Sequence, residues 1–298
     1  MNESDYLADQ FEKHRTHLQA VAYRMLGSLA EAEDAVQEAW LRLARSDAAD
    51  IGNLGGWLTT VVGRVCLDVL RSRRAHPVES LEIQQLPDPV ISRDNDPEQH
   101  ALLADSVGMA LLVVLESLSP AERLAFVLHD MFAMPYDQIA PIVDRTPKTV
   151  KKLASQARRR VQGKAPIPDP DLPRQHRIVD AFLAAARDGS IEALVAILDP
   201  DVVLRADAGA TTSAGGLRVI RGGAAVAGQA ETFQRMATTY TTHTALVNGA
   251  AGLVSTLDGV LKSVMSFTVV AGRIAEIDIL ADPDRLARLD VAAITASR

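Results

Sequence analysis

The sequence predicts a multidomain chain: two all-α domains followed by an α+β domain. Three observations carry that expectation. The first 75 residues repeat apolar side chains at helical spacing. Residues 98–163 do so again and end in a strongly basic helix. Beyond a proline-rich stretch at 163–173 the alphabet turns to β-branched, alternating runs. At 298 residues the chain is long enough for separate cores.

The first domain is expected over 1–75. "FEKHRTHLQAVAYRML" puts Phe11, Leu18, Val21, Ala22, Met25 and Leu26 on one helical face, and Gly27 follows as a stop. "LAEAEDAVQEAWLRLARS" is a second helix and "GGWLTTVVGRVCLDVLRSRR" a third. They carry both tryptophans, Trp40 and Trp57, which are expected to anchor this core. Residues 76–97, within "AHPVESLEIQQLPDPVISRDNDP" from Ala75 on, have four prolines and no sustained period and read as an extended inter-domain linker. Its length exceeds that of a passive connection, which suggests a task of its own.

The second domain is expected over 98–163. "SPAE" forms a capping box, with Ser119 as N-cap, Pro120 at N1 and Glu122 at N3, and "ERLAFVLHDMF" continues as helix. "MPYDQIAPIVD" is a short helix. "RTPKTVKKLASQARRRV" then carries seven cations and no acid, in a chain whose net charge is −7. Residues 1–164 hold 19 Lys+Arg against 23 Asp+Glu, and the remainder 12 against 15, so these cations matter by position and not by total. Thr146 suits the N-cap and Pro147 N1. Val150, Leu153, Ala154, Ala157 and Val161 make one apolar stripe, while Lys148, Lys151, Lys152, Ser155, Gln156 and Arg159 face outward. Lys148 stands in the first turn, where the helix dipole disfavours a cation unless phosphate lies nearby. Taken alone, the charges fit a solvated face. Short helix, tight turn and capped basic helix together make a helix-turn-helix that binds DNA. Asp144 stands in the turn where glycine is frequent.

Two further clusters stand out in the first domain. Arg64, Arg71, Arg73 and Arg74 gather on and after the third helix. Glu31, Glu33, Asp34 and Glu38 gather in "AEAEDAVQEA", either as a solvated acidic face or as a docking surface for a basic partner.

A third domain is expected over 175–298, after a linker at 164–174. "RIVDAFLAAARDGS" and "IEALVAILDP" are amphipathic helices; "VVLRAD", "LRVIRG", "GLVST" and "SVMSFTVVAGRIAEIDIL" read as strands, the last a hairpin turning at Ala271–Gly272. Asp207, Tyr240, His243 and Asp278 are its polar candidates for a pocket.

Composition bounds the rest. Hydrophobic residues make up 48% and charged residues 23%, as in a soluble globular protein. The polar, acidic opening is not a secretory signal, and no apolar run approaches the ~20 residues a membrane span needs. Cys66 is the one cysteine, so an internal disulfide and a four-cysteine zinc site are excluded, and its apolar surroundings point to packing. A cytoplasmic location is expected, with no cofactor, no metal and no membrane partner.

These motifs resemble those of extracytoplasmic-function (ECF) sigma factors. "AEDAVQEAWLRL" resembles region 2.2, which implies docking on the β′ clamp helices of core RNA polymerase through Glu33, Asp34, Gln37 and Glu38. "GWLTTVVGRVCLDVLRSRR" resembles regions 2.3 and 2.4. That implies −10 promoter contact by Arg64, Arg71, Arg73 and Arg74, with Arg64 standing where many members have asparagine. "LSPAERLAFVLHDMFAMPYDQIAPIVDRTPKTVKKLASQARRRV" resembles region 4, which implies −35 contact by Thr146, Lys148, Lys151, Lys152, Ser155, Gln156 and Arg159 and a neighbouring polymerase β flap. The linker resembles the segment that threads toward the polymerase active-site cleft in these factors. The extension resembles the fused SnoaL-like, NTF2-like cone domain of the SigJ type, thought to regulate in cis. "LPDP" is similar to that group's linker motif and "RADAGA" and "ADPDRL" to its C-terminal motifs, the first of them degenerate here. Leu86, Pro87, Asp88, Pro89 and Asp207 are the implied regulatory contacts. Three alternatives stay open from sequence: a helix-turn-helix regulator working without polymerase, a small-molecule ligand in the C-terminal domain, and residual isomerase- or cyclase-like activity there, although no catalytic residue is assigned.

Overall fold

The computed structural model describes residues 3–46, 51–75, 85–92, 108–209 and 216–289, with side chains from Tyr6 onward. The chain divides into two compact units: Met1–Leu81 with Val114–Lys164, and Glu82–Val113 with Ala165–Arg298. Residues 76–84 and 93–107, which include most of the expected inter-domain linker and the start of the second expected domain, lie outside the described residues.

In the first unit, α1 (Glu3–Leu26) ends at Gly27, whose φ of 72° suits glycine. α2 (Leu29–Leu43) is capped by Ser28. α3 spans Leu54–Ala75. All six residues expected on the inner face of α1 are buried, and Leu43, Leu58 and Leu67 complete the core. The tryptophans sit at its margin: Trp40 is half-buried with its ring 5.2 Å from Phe11, and Trp57 is half-buried too. Cys66 is buried, and burial pushes its thiol up to about 12.

α4 (Met109–Glu116) and α5 (Pro120–Phe126) precede a single π-helical turn at Val127–Met131. The sequence predicts one uninterrupted helix through Phe132. Instead the Phe132 N–H reaches back to the Val127 carbonyl (3.2 Å) and Ala133 turns left-handed (φ 53°). α6 (Tyr136–Ile139) and α7 (Pro147–Lys164) follow, joined by a turn in which Asp144 takes φ 53°. The two helical domains share one interface. A Cβ on Gly63 of α3 would lie 3.6 Å from Leu128 and Ile142 side chains. Arg123, 2% exposed, donates to the Arg24 carbonyl (3.1 Å) and pairs with Glu116 (2.8 Å). The Arg24 guanidinium stands 4.9 Å over the Phe132 ring.

The second unit is α+β. α8 (Leu172–Asp188) starts earlier than the expected linker end, because the Asp171 side chain accepts from the Arg174 N–H and Pro173 fits the first turn. α9 (Ile191–Ile197), β2 (Leu198–Asp207), β3 (Leu217–Arg221), α10 (Gly223–Ala227), α11 (Ala230–Thr239), β4 (Thr241–Val247), β5 (Ala250–Leu257), β6 (Val260–Val270), β7 (Arg273–Leu280) and α12 (Pro283–Leu286) follow. Together with β1 (Ile91–Ser92), contributed by the linker, the strands form a seven-stranded sheet in the order β1-β4-β5-β6-β7-β2-β3. Only β2–β7 pairs parallel among these. The β6–β7 hairpin turns at Ala271–Gly272, both at positive φ, as the sequence predicts. One face of the sheet packs on the helices, where Phe182 meets Phe233 and Phe267 edge-on. The other carries Val247, Val254, Val264 and Leu280, joined by Ile91 and Leu286. This is the α+β arrangement expected of a SnoaL-like domain. No helix among the described residues is long and apolar enough to cross a membrane.

Candidate functional site

α7 is fixed by its apolar stripe: Val150, Ala154 and Ala157 are fully buried, and Leu153 and Val161 are half-buried. Thr146 Oγ1 accepts from the Thr149 N–H (3.3 Å) at the helix start. The seven cations divide by role. Arg158 pairs with Asp130, and Arg160 with Glu122 (2.9 Å). Arg145 donates to the Asp144 carbonyl. Lys148, Lys151, Lys152 and Arg159 are exposed and make no ion pair among the described residues. With half-buried Ser155 they recur at i, i+3, i+4, i+7 and i+11, a single helical face. Gln156 is half-buried beside them and Thr146 exposed at the helix start. Burial raises the Glu122 carboxyl, but hydrogen bonds from Ser119 and the Arg160 charge outweigh it and hold the group below its usual range.

The acidic helix is less open than its sequence implies. Glu33 accepts from Arg15 and Gln19, Glu31 pairs with Arg73, and Glu38 pairs with Arg42 (2.8 Å). Asp34 and Gln37 remain exposed, and with them Leu41, which is 41% exposed. Asp34, Gln37, Glu38 and Leu41 form one stripe at i, i+3, i+4 and i+7. The spacing alone could have singled out Leu41, which sequence reasoning missed.

The four arginines of α3 do not form one free cluster. Arg73 also donates to the Leu26 carbonyl (3.4 Å), and Arg74 to the Leu118 carbonyl (2.9 Å), so both hold the unit together. Arg71 is exposed, 3.7 Å from Asp68. Arg64 is exposed and reaches the Pro141 carbonyl (3.3 Å), just before the helix-turn-helix turn.

On the second unit the linker is gripped by a polar clasp. Asp207 is 1% exposed; its Oδ2 accepts from the Leu86 N–H (3.0 Å) and from Arg285 (2.9 Å). The Arg285 guanidinium also reaches Asp88 (2.9 Å through Nε) and the Leu86 carbonyl (2.5 Å). Arg285 is aimed by α12, whose N-cap Asp282 accepts from the Asp284 and Arg285 N–H groups. Further along, Val90 and Asn248 exchange two bonds: Val90 N–H to Asn248 Oδ1 (3.1 Å) and Asn248 N–H to the Val90 carbonyl (2.8 Å). Leu86 thus meets Asp207 directly and Asp88 meets it through Arg285, while Pro87 and Pro89 line a small cavity beside the sheet. Arg285 and Asn248 were not singled out from sequence. Arg285 lies within "ADPDRL", but Asn248 becomes a partner only through sheet pairing.

The pocket candidates do not converge. Tyr240 ends α11, and His243 lies on β4, three strands from Asp278 on β7. Asp278 is fully buried beside Arg205 (2.9 Å), which also pairs with Glu276 (3.0 Å). Burial pushes the Asp278 carboxyl up to about 6, against the pull of Arg205.

Comparison with known proteins accounts for this combination. The family model Sigma-70 region 2 matches residues 10–76, and Sigma-70, region 4 matches residues 108–161. These define a sigma factor of the sigma-70 class. The probable ECF RNA polymerase sigma factor SigI of Mycobacterium tuberculosis is 34% identical over 297 residues, covering 96% of this chain and 97% of the relative. SigJ of the same organism is 40% identical over 217 residues, 72% of this chain and 68% of the relative. The crystal structure of M. tuberculosis SigJ superposes with a TM-score of 0.76 at 31% identity, covering 93% of this chain and 97% of that one. The chain belongs to the ECF RNA polymerase sigma factors.

Proposed function

We propose that this ECF sigma factor directs core RNA polymerase to promoters and is restrained in cis by its C-terminal domain. In this reading α7 enters the major groove of the −35 element, with Lys148, Lys151 and Lys152 toward phosphate or base edge and Ser155, Gln156 and Arg159 toward base edges. Arg64 and Arg71 serve the −10 element, while Arg73 and Arg74 act mainly inside the fold. The stripe Asp34–Gln37–Glu38–Leu41 docks on the β′ clamp helices, its exposed leucine set among polar groups as at the centre of a protein–protein contact. Region 4 lies by the β flap. The C-terminal domain acts as a regulator and not as an enzyme.

The observation that carries the regulatory part is the clasp. A linker suited to threading a polymerase channel is held instead through the backbone of Leu86 and Val90 and the side chain of Asp88. A segment so held cannot also lie in the channel, so polymerase must displace it, shifting an equilibrium between held and free states. The test is Arg285→Ala in run-off transcription with core polymerase. Removing the guanidinium takes away the cation that Asp207 and Asp88 share, and transcription from a cognate promoter should rise several-fold. Unchanged output would reject regulation through the clasp.

A further inference from the structure

The sheet face turned away from α8, α10 and α11 carries a row of residues that the clasp does not use. Arg205 of β2 stands opposite Asp278 of β7, Asp278 opposite Ser266 of β6, Ser266 opposite Gly252 of β5, and Gly252 opposite Ala245 of β4. The row runs from charged to polar to almost no side chain at all, which makes a trough. At the Gly252 end it is closed, since a Cβ there would stand 2.5 Å from Val247 Cγ2 and 2.7 Å from the Met265 carbonyl oxygen, so the open part lies over Ser266 and Asp278. Leu86, Pro87 and Pro89 roof the trough above Ser266, Asp278 and Val264, and the space left has room for about one water molecule.

Ser266 is 4% exposed and its Oγ has no hydrogen-bond partner among the described residues. A buried hydroxyl needs a partner, and the small space beside Ser266 and Asp278 is where a molecule can supply it. Asp278, opposite it, already accepts from Arg205 through Oδ1. Directly opposed side chains of an antiparallel pair have Cβ atoms about 5 Å apart. One hydroxyl group set between them can donate to the carboxylate and accept from the serine. An anion would meet Asp278 and Glu276; a cation would compete with Arg205, which already satisfies both.

We propose that this trough binds a small, uncharged, largely apolar molecule carrying a hydroxyl group, an alcohol or a phenol, and that residues 86–89 fill the place when the molecule is absent. The segment is a tethered competitor, present at roughly millimolar effective concentration. A ligand that fits only beneath a lifted roof therefore favours the released linker, and does so only by its differential affinity for that state. Binding rests on the trough alone; its consequence for transcription rests on the clasp reading above.

The probe is phenol, with toluene as the control lacking a hydroxyl, on the full-length chain and followed by ligand-observed NMR. Arg285→Ala, with the roof loosened, should bind phenol at least about tenfold more tightly than the wild type. Toluene should bind at least about tenfold more weakly than phenol, and adding Ser266→Ala should erase that difference. In the wild type, phenol should accelerate hydrogen exchange at the Leu86 and Val90 amides while leaving β6 and β7 unchanged, a readout that survives if the variants fold poorly. Equal phenol affinity with and without Arg285, toluene binding as well as phenol, or unmoved exchange at Leu86 and Val90 each overturns the site. Should Arg285→Ala raise transcription while none of these readouts moves, the clasp stands and the ligand site falls. Phenol binding as expected, with transcription unaltered by Arg285→Ala, would keep the ligand site and reject regulation through the clasp.

Discussion

Glu122 and Asp278 show how neighbours decide what one functional group does. Glu122 is held below its usual range, so its charged form favours the fold. That stability is present above the unfolded carboxylate value and is lost as pH falls through the folded one. Asp278 is raised to about 6, so between the unfolded value near 3.8 and about 6 the unfolded chain gives up its proton first. Its effect is therefore a penalty that grows across that window and is full above it. Melting curves from pH 4 to 7 should accordingly diverge: Glu122→Gln loses more stability at neutral pH than at pH 4, whereas Asp278→Asn gains relative to wild type as pH rises. Parallel curves would show that neither group titrates as its surroundings dictate. Lys148 and Lys152 are the residue-scale test of DNA contact. Changing both to alanine should reduce the salt slope of promoter binding by up to about 1.8, about 0.9 for each phosphate no longer neutralised. An unchanged slope would leave them as solvated charges.

At the scale of elements, α2 and α7 are read best as faces. α7 turns Arg158 and Arg160 onto acids of its own unit and keeps Lys148, Lys151, Lys152 and Arg159 outward. That sorting separates cations that hold the fold from cations left facing outward. α2 does the same with acids: Glu31 and Glu33 are tied across to Arg73 and Arg15, and Asp34 is left at the surface. Asp34→Lys with Glu38→Lys should abolish capture of core polymerase. The melting temperature should barely move, since exposed helical pairs such as Glu38–Arg42 contribute about 0.3–0.5 kcal/mol. Retained capture would move the docking surface elsewhere. Arg64 bridges from α3 to the segment before the helix-turn-helix turn, donating one hydrogen bond to the Pro141 carbonyl while its side chain stays exposed.

For the whole molecule, the C-terminal domain holds both chain segments that lead to it. Residues 86–92 are clasped and paired to β4, and Asp169 in the later connection bonds the Ala271 and Gly272 amides of the β6–β7 turn (3.1 and 3.0 Å). A tether anchored at its far end has little slack, which keeps the clasp partners at high effective concentration. Ending the chain after Lys164 removes Asp207, Asn248 and Arg285 together. Transcription from a cognate promoter should then rise at least as much as with Arg285→Ala alone. A truncated chain no more active than the full one would leave the extension without a restraining role.

Periodicity and capping made much of this protein legible in advance. The inner face of α1, the Ser119–Glu122 capping box, the stripe of α7 and the Ala271–Gly272 turn depend on neighbours within a few residues, and the sequence alone determined them. So too did the presence of two helical domains and an α+β extension, because hydrophobic period changes with secondary structure. What it left open depends on distant partners. β4 escaped notice because "TTHTALV" alternates weakly and becomes a strand by pairing between β5 and the linker. The π-helical turn is set by the backbone reaching from Phe132 and Met134 back to Val127 and Leu128, for which composition gives no signal. Arg73 and Arg74 look like their neighbours Arg64 and Arg71 in sequence, yet their guanidinium groups close the fold. Only the tertiary structure could decide that Arg285 and Asn248 grip a linker more than 150 residues away in the chain, because a side chain's partner is fixed by where folding brings it.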